Sequence, residues 1–245
     1  MLHRAWDFVL FALPDLESIA IPGPIFAAYT GLGAALVGRL RMRKQIRTAF
    51  TRKIFHFFIF SGAGVIHLLK GLPEVVLFGL IVCAWVLYAV ARGDGFPFYE
   101  AMARPQDAPH RTFFILVPML TTLLGGLAAN ILFGRTALVG YFVCGWGDAV
   151  GEPVGARWGR HRYRVPSLLR VAASRSLEGS AAVWLAGTLV AFLAVWVEGM
   201  PLPPAAAVAL ACGTVGAAVE AVSTHGLDNL TIQVAAAGTA WLLWV

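Results

Sequence analysis

Long apolar runs recur along this chain and restrict the folds that it can adopt. Eight of them approach the ~20 residues that an α-helix needs to cross the hydrocarbon layer of a membrane. They are 21–38, 54–69, 75–91, 113–133, 136–156, 180–197, 204–222 and 229–245. With 59% hydrophobic residues and a mean hydropathy of +0.75, the 245-residue chain is too apolar for a soluble domain. The sequence predicts an all-α, polytopic transmembrane bundle of about eight spans.

Basic residues are concentrated in three loops, and their distribution predicts the orientation of the bundle. Residues 39–53, 92–112 and 157–179 hold sixteen of the 19 Lys and Arg, and eight spans place all three loops on one side. Positively charged loops accumulate on the cytoplasmic side of membranes. We therefore expect an integral protein of a bacterial cytoplasmic membrane, with 157–179 as a cytoplasmic, arginine-rich loop.

The remaining global features predict a single membrane domain, 1–245. Internal repeats and linkers are absent from the sequence, and residues 1–20 are expected to form an interfacial helix rather than a cleavable signal. The three cysteines lie in apolar runs at unrelated spacing, which indicates packing and not a disulfide framework. The net charge of +6 is explained by membrane topology, so a nucleic acid polymer is not an expected partner. Such a bundle is compatible with a homodimer.

The stretch 145–180 contains polar residues that apolar packing does not explain. Asp148 and Glu152 are four residues apart, so on a helix they lie on one face about one turn apart. At roughly 6 Å two carboxylates repel by about 3 kcal/mol at an effective dielectric constant near 20. The pair therefore requires a proton, an arginine or a cation.

Glycines recur every four residues through the same stretch, at Gly147, Gly151, Gly155 and Gly159. Their spacing leaves a bare helix face against which another helix or a ligand can lie closely. Pro153 interrupts this face and removes one backbone hydrogen bond, so the sequence predicts a kinked or broken helix there.

Polar groups elsewhere have two interpretations each. Arg52 and His56 share a helix face at the end of a basic loop, where they are either a membrane anchor or a phosphate-binding pair. Glu220 lies inside an apolar run, which indicates function because burying its charge in a membrane costs roughly 3 kcal/mol. Asp228 and Asn229 are either a helix N-cap or part of a site. The basic residues of loop 92–112 are equally consistent with surface anchors.

Three separated segments carry a family resemblance. They read RKIFH at 52–56, GDAVGEPVGARWGRHRY and SRSLEGS within 147–180, and EAVSTHGLDNL at 220–230. Together they resemble the membrane family of dolichol kinase, phytol kinase and related polyprenol or diacylglycerol kinases, itself similar to phosphatidate cytidylyltransferase. The resemblance covers about residues 50–235. It departs from the family pattern at Arg175, where the family has lysine, and at Gln233, where the family tends to have proline.

The resemblance implies an enzyme that uses CTP and acts on a lipid alcohol at the cytoplasmic face. Phosphoryl transfer needs a divalent cation on the phosphates, cationic groups and a positioned nucleophile. Carboxylate oxygens suit Mg²⁺, or Mn²⁺ in its place, and the expected metal ligands are Asp148, Glu152, Asp228 and Asn229. The expected nucleotide-binding residues are Arg52, Lys53, Gly155, Arg160, Arg175, Ser176, Glu178, Gly179 and Ser180. Three candidates for the general base stay open: Asp148, His56 and Glu220.

Alternative functions come from other classes of protein. A cytidylyltransferase has much the same metal and arginine requirements but attacks the α-phosphorus of CTP and releases pyrophosphate. The RKIFH and Asp228–Asn229 signals favour the kinase over it. An ion-coupled transporter also carries intramembrane acids and a Pro-interrupted helix, but the absence of repeats and the arginine-rich loop count against it. A purely structural bundle is disfavoured by three acids in apolar spans.

Overall fold

The computed structural model describes residues 10–171, 173–224 and 226–244, without the side chain of Arg170. Within this part of the chain the fold is a bundle of α-helices with one short β-hairpin. The helices are α1 (Leu16–Ala20), α2 (Pro22–Lys44), α3 (Thr48–Leu69), α4 (Leu72–Arg92), α5 (Pro97–Met102), α6 (Phe113–Phe133), α7 (Ala137–Phe142), α8 (Ala149–Trp158), α9 (Leu177–Val197), α10 (Leu202–Val222) and α11 (Asp228–Trp244). The strands are β1 (Arg162–Val165) and β2 (Ala173–Ser176).

The helical membrane architecture is present, but the predicted count of eight spans is not confirmed. Among the described residues, five helices are long and apolar enough to cross a membrane, or up to six if the bent pair Leu10–Ala20 and Pro22–Lys44 is one span. One of the five is a continuous helical stretch, Phe113–Trp158, of 46 residues. Helix α11 has 17 residues, at the short end of the ~17–25 that cross a membrane. The predicted spans 113–133 and 136–156 both fall within Phe113–Trp158.

The 46-residue stretch turns back on itself at Gly134, which has a φ of 57°. A Cβ placed at Gly126 would lie 3.3 Å from Cε1 of Tyr141. In a straight helix these residues would be about 22 Å apart along the axis. Helices α6 and α7 therefore lie side by side, and both pack against α11.

The backbone irregularity near Pro153 lies before that residue and not at it. Helix α8 continues through Pro153, whereas Val143–Asp148 forms a π-helical turn directly upstream. A π-turn places one extra residue in a helical turn and is frequent at functional sites. The π-helical turn ends in Asp148, so the irregular backbone positions one of the two predicted carboxylates.

Glycines bring α8 into close contact with α9. The four-residue spacing of these glycines predicted a bare helix face, and α9 packs against it. A Cβ at Gly151 would lie 2.5 Å from Cγ2 of Val183, and one at Gly179 would lie 2.9 Å from the carbonyl oxygen of Gly151. Either addition requires the backbones to separate. The contact orients the N-terminus of α9 against the helix that carries Glu152.

The predicted all-α fold class is confirmed, and the arginine-rich loop adds one short β-hairpin to it. Strands β1 and β2 pair antiparallel, with Tyr163 opposite Arg175 and Arg164 opposite Ser174. Side chains alternate between the two faces of a strand, so Tyr163 and Arg175 share the partly buried face while Arg164 and Ser174 share the exposed one. In the sequence Arg-Tyr-Arg-Val of β1, polar and apolar residues alternate with the period of two that is typical of a strand. The prediction of helices alone did not take this alternation into account.

The N-terminal prediction is only partly within the described residues. Residues 1–9 lie outside them, whereas Leu10–Ala20 forms an angle of 86° with the helix Pro22–Lys44. Asp15 caps α1, because its Oδ1 accepts a hydrogen bond of 2.7 Å from the backbone N–H of Ser18. A segment perpendicular to a span has the geometry expected of an interfacial helix.

Candidate active site

A polar cavity of about 260 Å³ lies at the end of the bundle where the three basic loops meet. Residues from α3, from loop 103–112, from α8 and from the hairpin line it together. Of its lining residues in the described part of the chain, five are basic and five are acidic: Arg52, Lys53, Arg104, Arg162, Arg175, Asp107, Asp148, Glu152, Glu220 and Asp228. Segments distant in sequence therefore form one charged site.

Lys53 supplies the cation that the Asp148–Glu152 pair requires. Its Nζ lies 2.5 Å from Oδ2 of Asp148 and 3.5 Å from Oε2 of Glu152. The Lys53 side chain is only 6% exposed, so it is a buried ion-pair partner and not a surface anchor. Removing one member of such a buried pair leaves an uncompensated charge, which is strongly destabilising.

His56 lies one helical turn beyond Lys53, beside the same carboxylate. Its Nε2 is 3.5 Å from Oδ2 of Asp148 and 3.3 Å from the carbonyl oxygen of Cys144. A carbonyl oxygen only accepts hydrogen bonds, so this contact requires the tautomer with the proton on Nε2. Nδ1 is then the acceptor nitrogen of the ring.

Arg175 joins two further acids of the cavity, Glu220 and Asp228. Its Nε donates to Oε1 of Glu220 at 2.9 Å and its Nη2 donates to Oδ2 of Asp228 at 3.0 Å. The second oxygen of Glu220 lies 3.4 Å from Oγ of Ser180, which is 2.7 Å from the hydroxyl of Tyr163. The hairpin is thus connected to helices α9, α10 and α11 through polar contacts.

Two guanidinium nitrogens of the cavity's arginines lack an internal partner. Nη1 of Arg52 and Nη1 of Arg175 are buried, and no group in the described residues forms a hydrogen bond with either. A buried donor without a partner costs roughly 1–3 kcal/mol. Both arginines line the polar cavity, so an anion bound there would satisfy them.

An apolar groove of about 280 Å³ meets the polar cavity. It runs between α3, α4, α6 and α11, and Arg52 lines both spaces. His56 and Asn229 also line the groove. Along its margins Leu80 and Leu127 are exposed, so the groove is accessible from the lipid-facing surface of the bundle.

Asp228 and Asn229 face different spaces. Asp228 lines the polar cavity, and its Oδ1 also accepts from the backbone N–H of Asn229 at 3.1 Å. Nδ2 of Asn229 donates to Thr122 Oγ1 at 2.8 Å, on α6. Gln233, the departure from proline, donates to the carbonyl oxygen of Asn229 at 2.6 Å, and α11 continues through it. The pair therefore begins α11, with Asp228 lining the polar cavity and Asn229 lining the apolar groove.

The other predicted nucleotide-binding residues divide into two groups. Those that line the polar cavity are Gly155, Ser176, Gly179 and Ser180. Ser176 is the N-cap of α9, because its Oγ accepts from the backbone N–H of Gly179 at 3.1 Å. Arg160 is exposed and does not line the cavity, and Glu178 instead contacts Nδ1 of exposed His161 at 2.7 Å.

Some cavity residues were not among the predicted site residues, although the sequence left a functional role open for the basic residues of loop 92–112. Arg104 and Asp107 are buried in the connection between α5 and α6, and Arg162 lies on β1. Arg104 and Asp107 are three residues apart, the spacing of a local ion pair, which was the available signal. Their burial depends on long-range packing that the sequence does not reveal.

The acidic residues do not form a closed metal cage. Within the described ranges, no group of three or more His, Cys, Asp or Glu is close enough to hold a metal ion by itself. Mg²⁺ commonly uses one or two carboxylates, with phosphate and water as its other ligands. Asp148 and Glu152 are hard oxygen donors beside a polar cavity, so their chemistry fits a divalent cation whose other ligands come from water or a bound anion.

Fold and site together define a class: an integral membrane enzyme with a charged cavity that adjoins a lipid-accessible groove. The chain is 35% identical to the phytol kinase of Synechocystis sp. (strain ATCC 27184 / PCC 6803 / Kazusa) over 231 residues, which cover 89% of this chain and 91% of that protein. No protein-family model matches the chain. The chain belongs to the family of phytol and dolichol kinases, and it is accordingly a lipid-alcohol kinase.

Proposed function

We propose that this protein transfers the γ-phosphoryl group of CTP to the hydroxyl of an isoprenoid alcohol of the phytol type. The observation that carries the proposal is Arg52, a buried arginine with an unsatisfied Nη1 that lines both the charged cavity and the apolar groove. An anion in the cavity and the head group of a lipid in the groove would meet at this residue. The phytol kinase relative supports a kinase with an isoprenoid alcohol as acceptor.

The nucleotide phosphates bind in the polar cavity in this proposal. Arg52 and Arg175 each direct an unpaired Nη1 into a buried environment, and guanidinium groups bind phosphate oxygens strongly. The N-terminal turn of α9, with Ser176, Gly179 and Ser180, opens on the same cavity and adds the positive end of a helix dipole. Arg160 and Glu178 lie outside the cavity, so we assign them no direct contact with the phosphates.

A divalent cation accompanies the nucleotide for an electrostatic reason. The five basic and five acidic residues that line the cavity have a total formal charge of zero. Because the basic residues are largely paired with the acidic ones, they cannot by themselves neutralise the negative charges of a nucleotide's phosphates. Asp148 and Glu152, with Asp228 nearby, would hold Mg²⁺ or Mn²⁺. Asn229 lines the groove, so we place it beside the alcohol. The ion supplies neutralisation of the charge that develops on the transferred group.

The length of the groove supports an alcohol of about phytol size. Its lining runs from Phe114 to Asn130 on α6 and from Leu72 to Val86 on α4, which corresponds to about 24 Å and 21 Å of helix rise. An extended carbon chain advances about 1.25 Å per bond, given C–C bonds of ~1.5 Å. A backbone of sixteen carbons, as in phytol, is then about 19 Å long and fits the groove.

His56 is the best-placed general base. It lines the groove through which the alcohol would arrive, and its Nε2–H faces Asp148 and Cys144. Nδ1 is therefore the nitrogen that accepts the hydroxyl proton as the oxygen attacks the γ-phosphorus and CDP leaves. Asp148 orients the ring, whereas Glu220 is held by Arg175 and orients that arginine.

The three basic loops lie at one end of the bundle, and we propose that this end faces the cytoplasm, where CTP is available. The decisive assay uses purified protein, phytol and CTP labelled separately at the α and γ positions. Transfer of the γ label to the lipid with release of CDP supports the proposal. Transfer of the α label with release of pyrophosphate would instead identify a cytidylyltransferase.

A further inference from the structure

The connection between α5 and α6 contributes two charged side chains to the polar cavity. Arg104 and Asp107 are both buried, and Asp107 is only 1% exposed. Nε and Nη2 of Arg104 donate to the two carboxylate oxygens of Asp107 at 2.9 and 3.0 Å. This bidentate pairing fixes the plane of the guanidinium group.

The remaining terminal nitrogen of Arg104 reaches the catalytic side of the cavity. Nη1 lies 3.4 Å from Oε1 of Glu152, while Oε2 of Glu152 lies 3.5 Å from Nζ of Lys53. Glu152 is thus held between two cations, one on each oxygen. Both distances exceed the 2.7–2.9 Å of a strong charge-assisted hydrogen bond, so the carboxylate is oriented but not tightly bound.

A row of alternating charges results, running from Asp107 through Arg104, Glu152 and Lys53 to Asp148. It joins the α5–α6 connection to the carboxylates that the proposed function uses. Arg111, seven residues further along, differs in every partner: it contacts Asp94, Glu100 and the carbonyl oxygen of Ala103. None of these partners lines the cavity, so Arg111 fastens the connection while Arg104 faces the site.

We propose that Arg104, anchored by Asp107, is a positioning residue that sets the orientation of Glu152 toward the nucleotide and its divalent cation. The proposal rests on the proposed function. Residues that orient a metal-binding carboxylate typically contribute 10–100-fold to metal affinity or activity. A surface anchor would contribute nothing comparable, and a residue that only stabilises the fold would not act through Glu152.

The experiment compares nucleotide binding and kinetics in purified protein in detergent. The variants are Arg104→Gln, Arg104→Lys and Asp107→Asn, with Arg157→Gln as the matched control, since Arg157 is exposed on the same helix as Glu152. We expect Arg104→Gln to weaken equilibrium binding of Mg²⁺–CTP about tenfold and to lower kcat/KM for CTP at least as much. KM for phytol stays within about twofold. Arg104→Lys and Asp107→Asn give intermediate losses, because the first keeps the cation beside Glu152 without the planar guanidinium and the second keeps the guanidinium without its anionic anchor.

A double-mutant cycle separates positioning from stability. In a Glu152→Gln background, Arg104→Gln should weaken Mg²⁺–CTP binding by less than about twofold further, because its effect passes through Glu152. Equal losses in both backgrounds, or a loss no greater than that of Arg157→Gln, would overturn the assignment while leaving the kinase intact. If Arg104→Gln does not fold, the same cycle with Asp107→Asn decides the question. Absence of Mg²⁺–CTP binding by the unmodified protein would overturn both this assignment and the proposed function.

Discussion

Lys53 and Asp148 are 95 residues apart in the chain, and Nζ of Lys53 lies 2.5 Å from Oδ2 of Asp148 in the interior of the bundle. The contact joins α3 to the π-helical turn that ends in Asp148. It converts two sequence signals that were separate, a basic segment and an acidic pair, into one site.

The first prediction concerns this ion pair. Asp148→Asn should abolish turnover and lower the free energy of unfolding by about 3 kcal/mol, because Lys53 is then left buried with only the more distant Glu152. The double variant Lys53→Met, Asp148→Leu should recover much of the stability and remain inactive. Thermal unfolding in detergent and a phytol kinase assay measure the two effects. Near-normal Mg²⁺-dependent activity of Asp148→Asn would remove Asp148 from the site.

The second prediction concerns the hairpin. Arg175→Ala should lower the rate at saturating CTP by about 10²-fold, the typical loss for a donor that stabilises transition-state charge. Arg175→Lys should recover a substantial part of it, because lysine keeps the positive charge and the family resemblance implies lysine at this position. Arg164→Ala is the matched control, since it removes an arginine from the exposed face of the same hairpin and should have little effect. Equal, mild losses for both alanine variants would favour a membrane-anchoring role for the loop.

The third prediction concerns the apolar groove. Ala63 lines it on α3, so Ala63→Phe should obstruct the space that the alcohol chain needs and raise KM for phytol at least tenfold. CTP binding should be unchanged because the polar cavity is distant from this position along the helix. Val65→Phe adds a comparable ring on the exposed side of the same helix and serves as control. A loss of CTP binding in Ala63→Phe, or identical kinetics for both variants, would contradict the groove assignment.

The fourth prediction concerns orientation. A cysteine introduced at Arg164 should react with a membrane-impermeant thiol reagent only from the cytoplasmic side. One introduced at Arg135, which is exposed at the opposite end of α6, should react only from the other side. The native cysteines are buried, which keeps the background low. Labelling of both positions from the same side in sealed vesicles would mean that the connectivity between them is wrong.

Local patterns in the sequence predicted much of the fold. Apolar runs predicted the helices, and the four-residue spacing of Gly151 and Gly155 predicted a close helix contact. The count of eight spans was not confirmed: α11 has 17 residues, and the apolar run 136–156 is divided among α7, a π-helical turn and α8, which hydropathy does not register. The hairpin was missed because two four-residue strands gain their stability from pairing with each other and from packing on the helices, not from local propensity.

The sequence by itself determined the chemistry available to this protein: which segments are apolar enough to be helices in a membrane, and which acids and arginines are too costly to bury without a purpose. Only the tertiary structure decided which of these groups meet. It pairs Lys53 with Asp148, turns Arg175 toward Glu220 and Asp228, and brings the buried pair of Arg104 and Asp107 to Glu152. The physical reason is that Coulombic interactions between buried charges depend on distance and local dielectric, and both are set by the packing of distant helices.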